Sequence, residues 1–529
     1  MKTRLFSLFA AAGVLLAATI DYNTEGKRWW SHIEFLASDD LQGRNTGSEG
    51  HLKAARYIAS EYERAGLKPA GTSGYFQPVP FNVDQIVEEQ SSLALLRDGK
   101  REPLTLGEEA TFSLRGDIQP DTEAGAVFAG YGLKVPEKNY DDLAGLDVNG
   151  KIVVFLSGGP VSIPGPLKAH YSSAGERWKY LRSAGAVGIA TIQNPKSMDV
   201  PWARLRLSRF MPSMSLADAS LDENQGLRLS LTINAERADK FFQGTGHTMA
   251  EVLADDDNHR PLPHFALPVT IRAHVQLKKS TVQSQNVVAV LPGNDPKLKD
   301  EYIVLSAHMD HVGVGEPING DKIYNGAMDD ASGVASDLEI ARMLHQTNAK
   351  LRRSVLFLAV TGEEKGLQGS RYFAAHPTVS GKNIVADINM DMFLPLHSLY
   401  YLEVQGLAES TLGDDIRAVS QAAGVEVQAD KEPQRNLFIR SDQYSFIRRG
   451  IPALAFKFGY LPGSPEEKLH KDWLRDRYHA PSDDLNQPVD KAAAAQFDRI
   501  ILALTERVAN ANARPEWKSD SFFRRFAGD

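Results

Sequence analysis

With 529 residues, 42% of them hydrophobic, the chain is long enough for two or three domains with cores of their own. A formal net charge of -8, with no lysine- or arginine-rich tract, argues against nucleic acid or an anionic membrane surface as a partner. Cysteine is absent, so disulfides and an acylated N-terminal cysteine are excluded, and stability rests on apolar cores and any bound metal.

The chain opens with Lys2 and Arg4 ahead of an apolar run over residues 5–18, and polar residues begin at Asp21. That is the pattern of a secretory signal, residues 1–18, cleaved near Ala17 or Ala18. The run is too short for a comfortable membrane span, so an exported protein, periplasmic or extracellular and without an integral span, is expected. Two helices follow, separated by the turn-rich "QGRNTGSEG". In the second, Leu52, Ala55, Ile58, Ala59 and Tyr62 share a face and Gly66 is the stop.

From about 124 to 263 short strand-like runs such as "KIVVFLSG" and "LRLSLTI" alternate with Gly, Pro and Asp turns, with one helical stretch around 176–184. No histidine there stands with acids at ligand spacing. This segment reads as a mainly β module inserted into a host domain formed by residues 19–123 and 264–529.

Beyond Val287 strands and helices alternate. "NVVAVLPG", "YIVLSAH", "SVLFLAVTG" and "NIVADINMD" are near-continuous apolar runs, as buried parallel strands require. Val334, Leu338, Ala341 and Leu344 line one face of an intervening helix. "IPALAFKFGY" adds a strand, and "DKAAAAQFDRIILALTERVANA" closes the chain as a long helix. The fold class expected is an α/β three-layer sandwich with a mostly parallel central sheet.

Acids follow these strands in turn. His308 and Asp310 lie just past one, Asp329 and Asp330 just before a helix, Glu363 and Glu364 past the next strand, and Asp391 past another. In open α/β sheets ligands bind beyond the carboxyl ends of the strands, so four acid-bearing segments converge on one crevice. A single Asp there is usually a cap or a turn residue; four such segments in succession point to a site. Imidazole and carboxylate ligands suit zinc, and an excess of carboxylates suits two ions sharing a bridging carboxylate.

Five ordered motifs, "AHMDHVG", "GAMDDASG", "TGEEKGLQGS", "INMDM" and "YHAPSDD", resemble the secreted zinc aminopeptidases of the bacterial leucyl aminopeptidase type. That superfamily also holds glutamate carboxypeptidase and glutaminyl cyclase. "NYDDLAGLDVNGKIVVFLSGG" with "KYLRSAGAVGIATIQN" resembles the protease-associated domain inserted in many members. The resemblance implies two zinc ions per chain, bridged by Asp329. His308 and Asp391 would complete one site, and Glu364 and His479 the other. Glu363 would be the general base, Asp310 would hold the tautomer of His308, and Tyr478 would polarise the substrate carbonyl. It favours His308 over His311 and His479 over His470; Asp387, four residues before Asp391, falls within or near the start of the strand, and Asp330 is placed to cap the helix that follows or to support the bridge.

The activity implied is removal of the N-terminal residue from peptides with a free amino group. Residues 441–446 would line the site, with Gln443 where many relatives have histidine after Ser-Asp. A carboxypeptidase of the same fold would need a cationic pocket, for which Arg435 and Arg440 are the candidates. A glutaminyl cyclase would use a single zinc, and a non-catalytic receptor would have lost its ligands; the full set with Glu363 argues against both.

Overall fold

The computed structural model describes residues 20–435 and 437–528. The secretory signal expected at residues 1–18 lies outside them. Among the described residues no helix is long and apolar enough to cross a membrane.

The main sheet runs Ser213–Leu216, Phe76–Ile86, Leu277–Leu291, Ser354–Val360, Tyr302–His308, Ile384–Asn389, Ala453–Phe458, Tyr401–Gln405, Glu426–Ala429 in spatial order. Its four middle strands, from Ser354–Val360 to Ala453–Phe458, are mutually parallel. Outside them the sheet is mixed. Leu277–Leu291 is antiparallel to both of its long neighbours, and Tyr401–Gln405 is antiparallel to Ala453–Phe458. The expectation of a parallel "NVVAVLPG" strand is therefore corrected. A continuous apolar run reports burial on both faces, and a central antiparallel strand meets that condition equally well.

Side-chain alternation builds the three layers. Val355, Phe357 and Ala359 enter the core shared with the long helices, while Leu356, Leu358 and Val360 enter the opposite one with Phe373 and Phe446. The first layer holds Tyr22–Leu36, Glu49–Arg64, Ser332–Gln346 and Lys491–Asn510. Trp29 ties two of these together, its indole N–H donating to Ser332 O and Ser336 Oγ at 3.1 Å. Ala55, Ile58, Ala59 and Tyr62 are buried as expected, with Leu52 half-buried. Gly66 ends its helix at φ +70°, and a Cβ there would stand 2.6 Å from the ring of His345.

A second, eight-stranded sheet has its own core around Leu95, Phe128, Val154 and Ile271. It reaches beyond the expected limits of 124–263, drawing in Ser92–Arg97, Lys100–Leu104, Ala110–Phe112 and His264–His274. Composition does not mark this edge, because the strands on both sides of it have the same short, half-buried texture. Ser213–Leu216, from inside the segment, instead pairs with the edge of the main sheet.

Candidate metal centre

The parallel strands deliver their acids to one end of the sheet. His308 is the last residue of its strand, Glu363 and Glu364 follow Val360 closely, and Asp391 lies just past Asn389. His308 Nε2 lies 3.1 Å from Asp329 Oδ1, 3.5 Å from Asp391 Oδ1 and 4.0 Å from Glu363 Oε2. His479 Nε2 lies 3.2 Å from Asp329 Oδ2 and 3.2 Å from Glu364 Oε2. Asp329 thus turns one oxygen to each group. Ligands about 2.0–2.1 Å from a tetrahedral zinc stand about 3.3 Å apart, which these separations bracket.

Buried polar atoms without partners mark the same spot. His308 Nε2, Asp329 Oδ2, Glu364 Oε1 and Asp391 Oδ1 make no hydrogen bond. Each such atom costs roughly 1–3 kcal/mol unless something satisfies it, and a cation satisfies all of them together. The donor set fits zinc.

His311, set aside on the sequence, belongs here. It is fully buried, neither ring nitrogen has a hydrogen-bond partner, and Nδ1 lies 2.7 Å from Glu364 Oε1 and 3.8 Å from Asp329 Oδ2. His311, Asp329 and Glu364 form one metal-competent group, and His308, Asp329 and Asp391 another. Spacing along the chain could not show that the loop after His308 folds back over Gly326. At Gly326, φ +64°, a Cβ would meet Asp329 O at 2.2 Å and His311 Cγ at 2.5 Å.

The other expected residues fall as follows. Asp310 holds His308 through its main chain, because Nδ1 faces its carbonyl oxygen at 3.0 Å while the carboxylate is 3.9 Å away. A carbonyl only accepts, so Nδ1 carries the proton and the Nε2 lone pair faces the acids. The Asp310 carboxylate instead accepts from Thr46 Oγ1 and from the Glu363 N–H. Asp330 caps the helix through Gly333 N, 2.9 Å, and accepts from His308 N, 3.2 Å. Asp387 sits within its strand and accepts from Ser306 Oγ at 2.8 Å. His470 is buried against Tyr460, apart from the metal-competent groups.

Two anchors escaped the sequence reading. Fully buried Arg44, from the turn-rich loop, donates to the carbonyls of Leu36, Met309, Asn325 and Gly326. Asp483 accepts from the N–H groups of Met328 and Asp329 and so fixes the segment that carries Asp329. Asp483 was visible in "YHAPSDD" as an acid after the histidine, whereas a lone arginine in a loop carries no such signal.

Electrostatics separate the neighbouring glutamates. Burial, reinforced by Asp391, Asp442 and Glu364 against the pull of His308, pushes Glu363 well above the usual carboxylate range. Burial acts on Glu364 in the same sense, but His479 and His311 overcome it and hold that carboxyl well below the range. Burial also pushes Asp442, behind the site, up to about 7 against the opposing effect of His308. Tyr478 packs on His479 with ring centroids 4.0 Å apart, and burial with Asp329 and Glu364 pushes its hydroxyl well up, so it remains a donor. Glu363, Glu364, Tyr478 and His479 open onto a cleft of about 760 Å³. Its far wall is formed by residues 172–175 and 220–223, and Glu223 crosses it to pair with Arg371 and Arg448.

Residues 286–505 match the model of Peptidase family M28. A probable leucine aminopeptidase 2 of Aspergillus oryzae is 31% identical over 279 residues, 49% of this chain and 52% of the relative. Aminopeptidase Y of Saccharomyces cerevisiae is 28% identical over 211 residues, 39% of this chain and 35% of the relative. The chain therefore spans about half the length, or less, of these curated relatives. Among solved structures, an aminopeptidase from Aneurinibacillus sp. strain AM-1 aligns over 92% of this chain and 95% of its own, with TM-score 0.55 and 21% identity. A zinc aminopeptidase from Bacillus subtilis aligns over 92% and 96%, with TM-score 0.51 and 18% identity. At these identities the likeness concerns the fold.

Proposed function

Residues 286–505 being a Peptidase family M28 domain, we propose that the protein is a zinc-dependent aminopeptidase that releases the N-terminal residue of peptides. One observation carries the reading: two groups of unpartnered ligand atoms share Asp329, with Glu363 beside them. His308 and Asp391 would hold one ion with Asp329, and Glu364 and His479 the other, which His311 also faces. Zinc in such sites supplies Lewis acidity, polarising a carbonyl and lowering the pKa of water towards ~7.

Glu363 accepts the proton of the attacking water and delivers it to the leaving amine nitrogen. Its raised proton affinity, set against that of Glu364, suits a group that must hold and release a proton. Tyr478 donates to the carbonyl oxygen as negative charge develops there. Carboxylates around the cluster receive the free ammonium of the substrate, which limits each cut to one residue. We also read residues 1–18 as an export signal, and the second sheet as a protease-associated domain that walls the cleft.

The test compares matched short peptides with free and acetylated N-termini, with and without chelator. The reading expects stepwise release from the free peptides alone, abolished by chelation. Cleavage indifferent to acetylation overturns it.

A further inference from the structure

Between the metal cluster and the strand Ala453–Phe458 lies a second, smaller pocket, whose mouth includes Glu363, Asp391 and His479. On the aminopeptidase reading it would receive the side chain of the N-terminal residue. In "ALAFKF" the alternate residues Leu454, Phe456 and Phe458 enter the core, Phe456 also bordering the pocket, while Ala455 and Lys457 line it from the other face. Lys457 is the one charged residue in this strand, and it is half-buried.

Among the described residues no ion pair or hydrogen bond engages its ammonium. The residue paired with it across the sheet, Glu403, attracts it without a direct contact and is shared with other groups: it accepts from Gln405 Nε2 at 2.9 Å and stands 4.0 Å from Lys431 Nζ. Burial, with Asp430 beside it and against the opposing pull of Lys457 and Lys431, pushes Glu403 up to about 7, so its negative charge is only partly developed at neutral pH. Arg435 and Arg440 add two more cations to the pocket, and both are engaged by Asp199. Outside the metal cluster the lining thus holds three cations and one carboxylate, with amide groups from Gln405 and Gln443 beside them.

Resting on the aminopeptidase reading, we propose that Lys457 selects a carboxylate in this pocket, so that the preferred N-terminal residue is glutamate or aspartate. A leucine side chain would strip water from the ammonium and return nothing, and a lysine would meet like charge. A hydrogen bond to a charged partner is worth a selectivity of about 10- to 100-fold.

The experiment measures kcat/KM of the zinc-loaded full chain on Glu-, Gln-, Leu- and Lys-headed peptide amides. The proposal expects Glu over Gln and over Leu by about 10-fold or more. Lys457→Met should collapse the Glu/Gln ratio towards unity, and Lys457→Glu should turn the preference to the Lys-headed peptide, a gain that misfolding cannot imitate. A Leu or Lys preference in the unaltered protein, or a Glu/Gln ratio indifferent to Lys457→Met, overturns it. A substrate α-carboxylate offers the same chemistry, so N-acetyl peptides with a free C-terminus form a second arm. Cleavage there overturns the N-terminal assignment and the aminopeptidase reading together. Should no peptide be cut, calorimetric binding of L-glutamate against L-glutamine still decides: selectivity lost in Lys457→Met upholds the pocket, and equal binding refutes it.

Discussion

Gly326→Ala adds one methyl group at the point where the loops of His311 and Asp329 close on each other. The new Cβ would lie 2.2 Å from a main-chain oxygen and 2.5 Å from a buried ring carbon, so backbone has to move by about 1 Å to restore van der Waals contact. The left-handed conformation at φ +64° costs a non-glycine residue roughly 1–2 kcal/mol, and overpacking adds about 1–3 kcal/mol. A total of about 2–5 kcal/mol falls on the segment that carries Asp329. Because Asp329 faces both histidines at 3.1 and 3.2 Å, its displacement should weaken both ions together. The assay is zinc retained per chain during graded chelation, with a thermal scan of the metal-free protein to separate folding from binding. A variant with unchanged melting and two tightly held ions would refute the reasoning.

Glu363→Gln should keep its zinc yet lose about 10²- to 10⁴-fold in kcat, while Glu364→Gln should lose one ion first; equal metal loss in the two variants sinks the division of labour. His311→Ala should weaken the ion beside Glu364 by at least about 10-fold, read by competition with a chromogenic chelator, whereas His470→Ala should leave zinc affinity as it was. If the His470 variant loses metal and the His311 variant does not, the structural assignment is wrong.

The carboxyl ends of the parallel strands were legible because buried apolar runs stop abruptly at acids, and those ends fix where Asp391, Glu363 and Glu364 must meet. Direction at the flanks was not, since the run that ends at Leu291 encodes burial rather than orientation. The place of His311 beside Glu364 was not legible, because it depends on how the loop after His308 folds back over Gly326. Arg44 left no trace at all: its value lies in four carbonyls that only the fold assembles. The second sheet extended past its compositional edge because Ser92–Arg97 and His264–His274 meet as neighbours despite their distance along the chain.

The most direct test of the shared centre is anomalous diffraction at the zinc edge from crystals of the metal-loaded protein. The account predicts two peaks flanking Asp329, one bounded by His308 and Asp391, the other by Glu364 and His479. A single peak, or zinc bound away from Asp329, would contradict it.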